Sequence, residues 1–254
     1  MTRIHEIAHK MMDDAYTVVE SASVQDAQAI EMHKHSSMPV GMQNLLPLAA
    51  PEYEISADIK DYVVVPVIIL PTDIPNRNSV AFPMEELMKF NVGQGRPNYK
   101  SWVGKPTFVE HAHNDHTAAK GIIFDTYMRP MQNTVGNIHK LIALCGFDRT
   151  KDPELARAIL KGERASYSMG AFVKTYECSI CGAHSKPKKL NTECGHVVRG
   201  KPELHETKDG LLVPSYLIAR NEILGFEVSS VGVPAWYSAT NTKTLFDMNS
   251  LKGK

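Results

Sequence analysis

The strongest hydrophobic signal is the run DYVVVPVIILPTDIPNRN, residues 61–78. Val63, Val64, Val65, Val67, Ile68 and Ile69 are β-branched and unbroken by charge, the pattern of a buried strand. PTDIPNRNS then supplies turn chemistry. Upstream, the pattern is weaker. Ile4, Ile7, Met11, Tyr16 and Val18 fall at a loose helical period, and residues 21–57 are polar, with Met, His and Pro and little periodicity. Residues 1–57 therefore read as a helical or flexible appendage, or as a peripheral helix packed on the domain.

Downstream, FPMEELMKF predicts a short helix with Pro83 in its first turn. KPTFVEH and KGIIFD predict strands. Residues 126–145 alternate helical and turn signals, which places Cys145, in LIALCGF, on a helix as a buried thiol. DPELARAILKGE is a helix with Asp152 as cap, Pro153 at its first position and Gly162 at its close. ASYSMGAFVKTYE, GLLVPSYLIAR and GFEVSSVGVPA predict strands. The sum is an α+β fold: a mainly β, curved sheet or barrel surrounded by helices. The expected domains are 1–57 (appendage), 58–245 (main domain, with an insertion at 176–200) and 246–254 (tail).

Composition narrows the function. The chain has 254 residues, enough to bury a core. Lys+Arg and Asp+Glu are 28 each, a net charge of zero, so nothing points to nucleic acid or an acidic lipid surface. Val63–Leu70 is too short to span a bilayer and contains Pro66. The start, MTRIHEIAHKMMDDAY, has acidic residues and no continuous apolar core, unlike a signal peptide. A reducing compartment is then expected, where four cysteines bind metal more readily than they form disulfides.

Three of those cysteines lie in the pattern C-x2-C-x12-C-x-H: Cys178, Cys181, Cys194 and His196. Two close ligand pairs joined by a hairpin-sized loop match the tetrahedral demand of Zn²⁺. The loop GAHSKPKKLNTE is too polar to fold around a core of its own, so a metal would fold it. Four protein ligands leave no open position, which makes the predicted ion structural. His184 is the competing fourth ligand.

Catalytic chemistry must then lie elsewhere. Eleven histidines include His111, His113 and His116 in VEHAHNDHTAAKG. With Glu110 or Asp115 they read as a second metal site, and a metallohydrolase; alternatively one is a base at a strand end, or the stretch is an exposed polar loop. Ser168 in Ser-Met-Gly is a strand-borne hydroxyl that needs such a base to act as a nucleophile.

Five motifs in order carry a resemblance: PNRNSVAFPMEEL, GRPNYKSWVGKPTFVEHAHNDHTAAKGIIFD, ERASYSMGAFV, the Cys/His cluster and LGFEVSSVGVPAWYSA. Over about residues 60–240 the chain resembles the prohead (capsid maturation) serine proteases of tailed bacteriophages. Those proteins are related in fold to the herpesvirus assembly protease, assemblin. The cysteine insertion resembles a zinc knuckle found in the version from larger phages.

The resemblance implies an assemblin-like fold and a Ser-His-acid endopeptidase. Ser168 matches the nucleophile of Ser-x-Gly, with Ser166 as rival and Gly170 leaving room for the scissile backbone. His111 matches the base, with His113 and His116 as rivals. Glu227 in FEVSS matches the acid, with Asp125 as fallback. Implied substrates are phage scaffold or core proteins and the major capsid protein, cut inside the immature prohead in the host cytoplasm. Self-cleavage within 21–57 and a homodimer also follow from the resemblance. The alternative is a zinc-stabilised, non-catalytic virion scaffold or structural protein.

Overall fold

The computed structural model describes residues 40–131, 138–185, 194–197, 203–236 and 246–247. The helical period at 3–20 and most of the metal loop lie outside them. The described strands are β1 Tyr62–Pro71, β2 Val80–Ala81, β3 Phe90–Asn91, β4 Arg96–Pro97, β5 Pro106–Val109, β6 Gly121–Pro130, β7 His139–Asp148, β8 Tyr167–Cys178, β9 His184–Ser185, β10 Leu204–Glu206, β11 Leu212–Pro214, β12 Leu217–Ser230 and β13 Phe246–Asp247. The helices are α1 Val40–Tyr53, α2 Met84–Met88 and α3 Pro153–Leu160. No helix among the described residues is long and apolar enough to cross a membrane.

One nine-stranded sheet organises the chain, in the order β13-β1-β7-β6-β5-β12-β8-β9, with β2 added beside β12. Its ladders are antiparallel except where β12 runs parallel to β5 and to β2. The fold is α+β, a curled mixed half-barrel with few helices; the expectation of a sheet surrounded by helices overstated their number.

β1 is buried at all ten positions because both of its faces are covered. Val63, Val65, Val67 and Ile69 join the main core with Trp102, Ile123, Leu141 and Ala143. Tyr62 and Val64 join a second cluster with Leu46, Ala49, Tyr53 and Ile55. Tyr62 Oη also donates to Ser56 O at 2.6 Å, and Ser56 N donates to buried Asp148 at 2.6 Å. The residues from Leu45 to 57 therefore belong to the domain, and the boundary drawn at 57/58 lies too far along the chain. At the other end, Phe246 and Asp247 pair with Val64 and Val63, so the sheet takes in the first two residues assigned to a tail.

Two further elements differ from the sequence reading. LIALCGF is not helical but lies in β7, between β1 and β6. A central strand covered on both faces needs no alternation, so its apolar run has no readable period. Cys145 is nonetheless fully buried there. The two strands expected at YLIAR and GFEVSS are one, β12, whose register with β8 shifts between Arg220 and Ile223 and again between Gly225 and Glu227. α3 is capped as predicted: Asp152 accepts from Leu155 N at 2.9 Å, and Pro153 occupies the first turn.

Candidate active site and metal cluster

β5 runs parallel to the end of β12, pairing Val109 with Ser230. Beyond it the chain turns through two left-handed residues, Glu110 (φ 49°) and His111 (φ 58°). Non-glycine residues seldom adopt this conformation, so neighbours must hold it. Glu110 N donates to Ser230 O at 3.0 Å, and Gly232 N donates to Glu110 Oε1 at 2.9 Å. His111 N donates to Ser229 Oγ at 3.2 Å.

The turn delivers the His111 imidazole to Glu227, with Nδ1 and Oε1 3.0 Å apart. Glu227 is 0% exposed, while the His111 side chain is 39% exposed. The second carboxylate oxygen accepts from Ser229 Oγ at 2.5 Å. The hydrogen bond to Glu227 raises the His111 pKa above the usual histidine value; burial opposes the rise, and the charges of Glu227 and Glu110 add to it. Because Nδ1 faces Glu227, the neutral ring carries its proton there and leaves Nε2 free as a base.

Ser168 lies on β8 directly across from Ser229 on β12. Facing residues of an antiparallel pair share one side of the sheet, with Cα atoms about 4.5–5.5 Å apart. Both serines are buried, Ser168 at 7% exposure and Ser229 at 0%, so Ser168 is the less enclosed of the two. No hydrogen bond joins Ser168 to His111 among the described residues. Ser166 precedes β8, and its carbonyl accepts from Val231 N at 3.0 Å.

Gly170, the end of Ser-Met-Gly, faces Glu227 in the same ladder. A Cβ there would lie 2.4 Å from Phe226 Cζ and 2.5 Å from Glu227 Oε1. The glycine thus makes room for the buried carboxylate and a ring. At this bulge Trp102 Nε1 donates to Gly170 O at 3.2 Å, and the indole packs on Gly225, where a Cβ would meet Trp102 Cδ2 at 2.0 Å. Phe226 in turn stacks against exposed Phe172, with ring centroids 4.7 Å apart.

The other two histidines make different contacts. His113 sets its edge against Phe226 at 5.3 Å, and His116 stacks on Tyr53 of α1 at 6.1 Å. Neither touches Glu227, and no metal cluster forms from the three among the described residues. Asp125, the fallback acid, instead pairs with Lys100 Nζ at 2.6 Å.

At the far end of β8, Cys178, Cys181, Cys194 and His196 place their ligand atoms within 4.8 Å of one another. Cys178 Sγ and His196 Nδ1 are 3.8 Å apart. Ligands at zinc bond lengths about a tetrahedron stand roughly 3.5–3.8 Å from each other, so the donor set fits one ion. Ile180 N donates to Cys178 Sγ at 3.4 Å, and burial pushes the Cys178 thiol pKa up. His184 lies outside this set, in β9.

Sequence reasoning missed Ser229, Trp102 and His205. The EVSS motif carries a signal for the first, since Glu227 and Ser229 are two apart on a strand and share a face. His205 Nε2 meets His196 O at 3.0 Å, a long-range contact with no local mark.

Fold and site together define a curled-sheet protein with a buried carboxylate–imidazole pair beside a strand serine and a separate Cys₃His cluster. Comparison with protein-family models, curated proteins and solved structures gives no match in any of the three.

Proposed function

We propose that the chain is a serine endopeptidase of the prohead protease type, with Ser168 as nucleophile, His111 as base and Glu227 as the acid that orients it. The observation that carries this reading is the His111–Glu227 pair at 3.0 Å, beside the sheet face on which Ser168 stands opposite Ser229. A buried carboxylate bonded to a half-exposed imidazole with its other nitrogen free is a base and its orienter.

In this mechanism His111 Nε2 takes the Ser168 proton as Oγ bonds to a peptide carbonyl carbon. The imidazolium is stabilised by Glu227. It then protonates the leaving amine, which departs as the C–N bond breaks and leaves an acyl-Ser168 ester. His111 next takes a proton from water as its oxygen bonds to the acyl carbon; the C–Oγ bond then breaks as His111 returns that proton to Ser168, and the carboxylic acid product is released. The Ser168–His111 contact closes in the substrate complex, as catalytic hydrogen bonds commonly do.

The proposed substrates are phage scaffold or core proteins and the major capsid protein, inside the immature prohead. The chain also cuts itself, within 21–45 rather than to 57, because Leu46, Ala49, Tyr53 and Ile55 are core residues. Cys178, Cys181, Cys194 and His196 hold one structural Zn²⁺, which supplies folding energy and no chemistry.

The deciding experiment compares wild type with Ser168→Ala on scaffold and capsid protein. Cleavage is lost in the variant while zinc content stays at one per chain. The alternative, a non-catalytic zinc-stabilised virion component, draws on the absence of a Ser168–His111 hydrogen bond; it predicts identical processing by both proteins.

A further inference from the structure

We propose that Ser229 is a positioning residue that fixes both members of the His111–Glu227 pair, holding the carboxylate by one bond and the His111 backbone by another. The inference rests on the protease reading above.

Ser229 Oγ donates to Glu227 Oε2 at 2.5 Å and accepts from His111 N at 3.2 Å. One hydroxyl therefore spans the pair. A carboxylate is free to rotate about its last bond unless both oxygens are occupied. With Oε2 taken by Ser229, Oε1 is aimed at Nδ1. The second bond acts on the backbone. His111 sits in a left-handed conformation next to another such residue, Glu110, and relaxation of that turn would carry the imidazole away from Glu227. Ser229 accepts the His111 amide and opposes that relaxation. Being 0% exposed, it cannot itself meet a substrate, which separates its role from that of Ser168 opposite.

The groups facing His111 are Glu227 from β12, Glu110 from its own turn and the His113 ring at 6.4 Å. Arg164, ahead of β8, reaches Glu110 at 3.4 Å. Ser229 is uncharged, so its replacement changes the geometry among these groups and not their number.

The test uses the full zinc-loaded chain with ¹⁵N-labelled histidine, in a Ser168→Ala background that prevents self-cleavage. Side-chain NMR titration follows His111 with Ser229 intact and with Ser229→Ala, Ser229→Thr and Ser229→Cys. With Ser229 intact, His111 titrates above the ordinary histidine range with its neutral proton on Nδ1. Ser229→Ala returns it towards the ordinary range, and Ser229→Thr, which keeps the hydroxyl, restores the raised value. Ser229→Cys keeps the volume and replaces the alanine comparison if that variant fails to fold. In the active enzyme, Ser229→Ala lowers kcat at least about tenfold, the scale of one hydrogen bond to a charged group, with KM within about twofold.

An unchanged His111 titration and unchanged kcat in folded Ser229→Ala or Ser229→Cys overturn the inference. If Ser168→Ala still cleaves normally, the protease reading fails, and the titration alone then decides whether Ser229 positions the pair. If Ser168→Ala is inactive and the Ser229 variants match wild type, only the Ser229 inference fails.

Discussion

Glu227 is a carboxylate at zero exposure, satisfied by an imidazole and a hydroxyl. His111→Ala removes one of the two partners of this buried carboxylate and so lowers stability as well as activity; denaturant melts measure the first. The pH dependence follows from the raised His111 pKa. On the proposed mechanism only the neutral ring accepts the Ser168 proton, so kcat/KM is expected to rise with pH through a limb above the usual histidine value. Glu227→Gln removes the main cause of the rise and moves that limb to lower pH. Stability has the opposite sense. A raised folded pKa contributes stability fully present below the unfolded value and lost as pH rises through the folded one. The melting-temperature advantage of wild type over Glu227→Gln is therefore largest at mildly acidic pH and shrinks above the His111 pKa.

β8 and β12 are the elements that build the site, and one glycine governs their fit. Gly170→Ala places a methyl group against Phe226 and Glu227. Overpacking of this kind costs about 1–3 kcal/mol, and here it also pushes the carboxylate from His111; the variant melts earlier and loses more activity than its stability loss explains. The control lies on α3, where Asp152→Ala removes a cap worth about 1 kcal/mol and leaves kcat unchanged. What the sequence disclosed follows the same division. Capping at Asp152 and the β-branched run of β1 are local signals, and both could be read directly. Glu227 and His111 were reachable through motif order. Ser229 needed only the strand alternation of EVSS. β7 could not be read, because a strand buried on both faces loses its period. α1 could not be read because Pro47 and Pro51 interrupt it: each removes a helix hydrogen bond, and burial of Leu46, Ala49 and Tyr53 holds the helix instead.

Across the whole molecule, the proposed nucleophile and the Cys₃His cluster share β8 but sit at opposite ends of it. Ser168 and Cys178 are ten residues apart, about 33 Å along an extended strand. On the proposed reading, loss of the ion therefore loosens the Cys₃His cluster without touching the His111–Glu227 pair. With Zn²⁺ as the proposed ion, Cys194→Ala is expected to bind none and to melt earlier by calorimetry, while its folded fraction at low temperature keeps the proposed activity. α1 packs on the histidine loop through the Tyr53–His116 stack and buries Leu46, Ala49 and Tyr53, so truncation to 57 exposes the second core and unfolds the chain.

On the proposed mechanism Ser168 is an activated nucleophile. The most direct measurement is labelling of the full chain with a fluorophosphonate, which reacts with serines activated by a neighbouring base, followed by peptide mass spectrometry. One adduct is expected, on Ser168, abolished by Ser168→Ala and by His111→Ala, with Ser166 and Ser229 unlabelled. An unmodified Ser168 in the folded, zinc-loaded protein, or labelling that persists in His111→Ala, would contradict that mechanism.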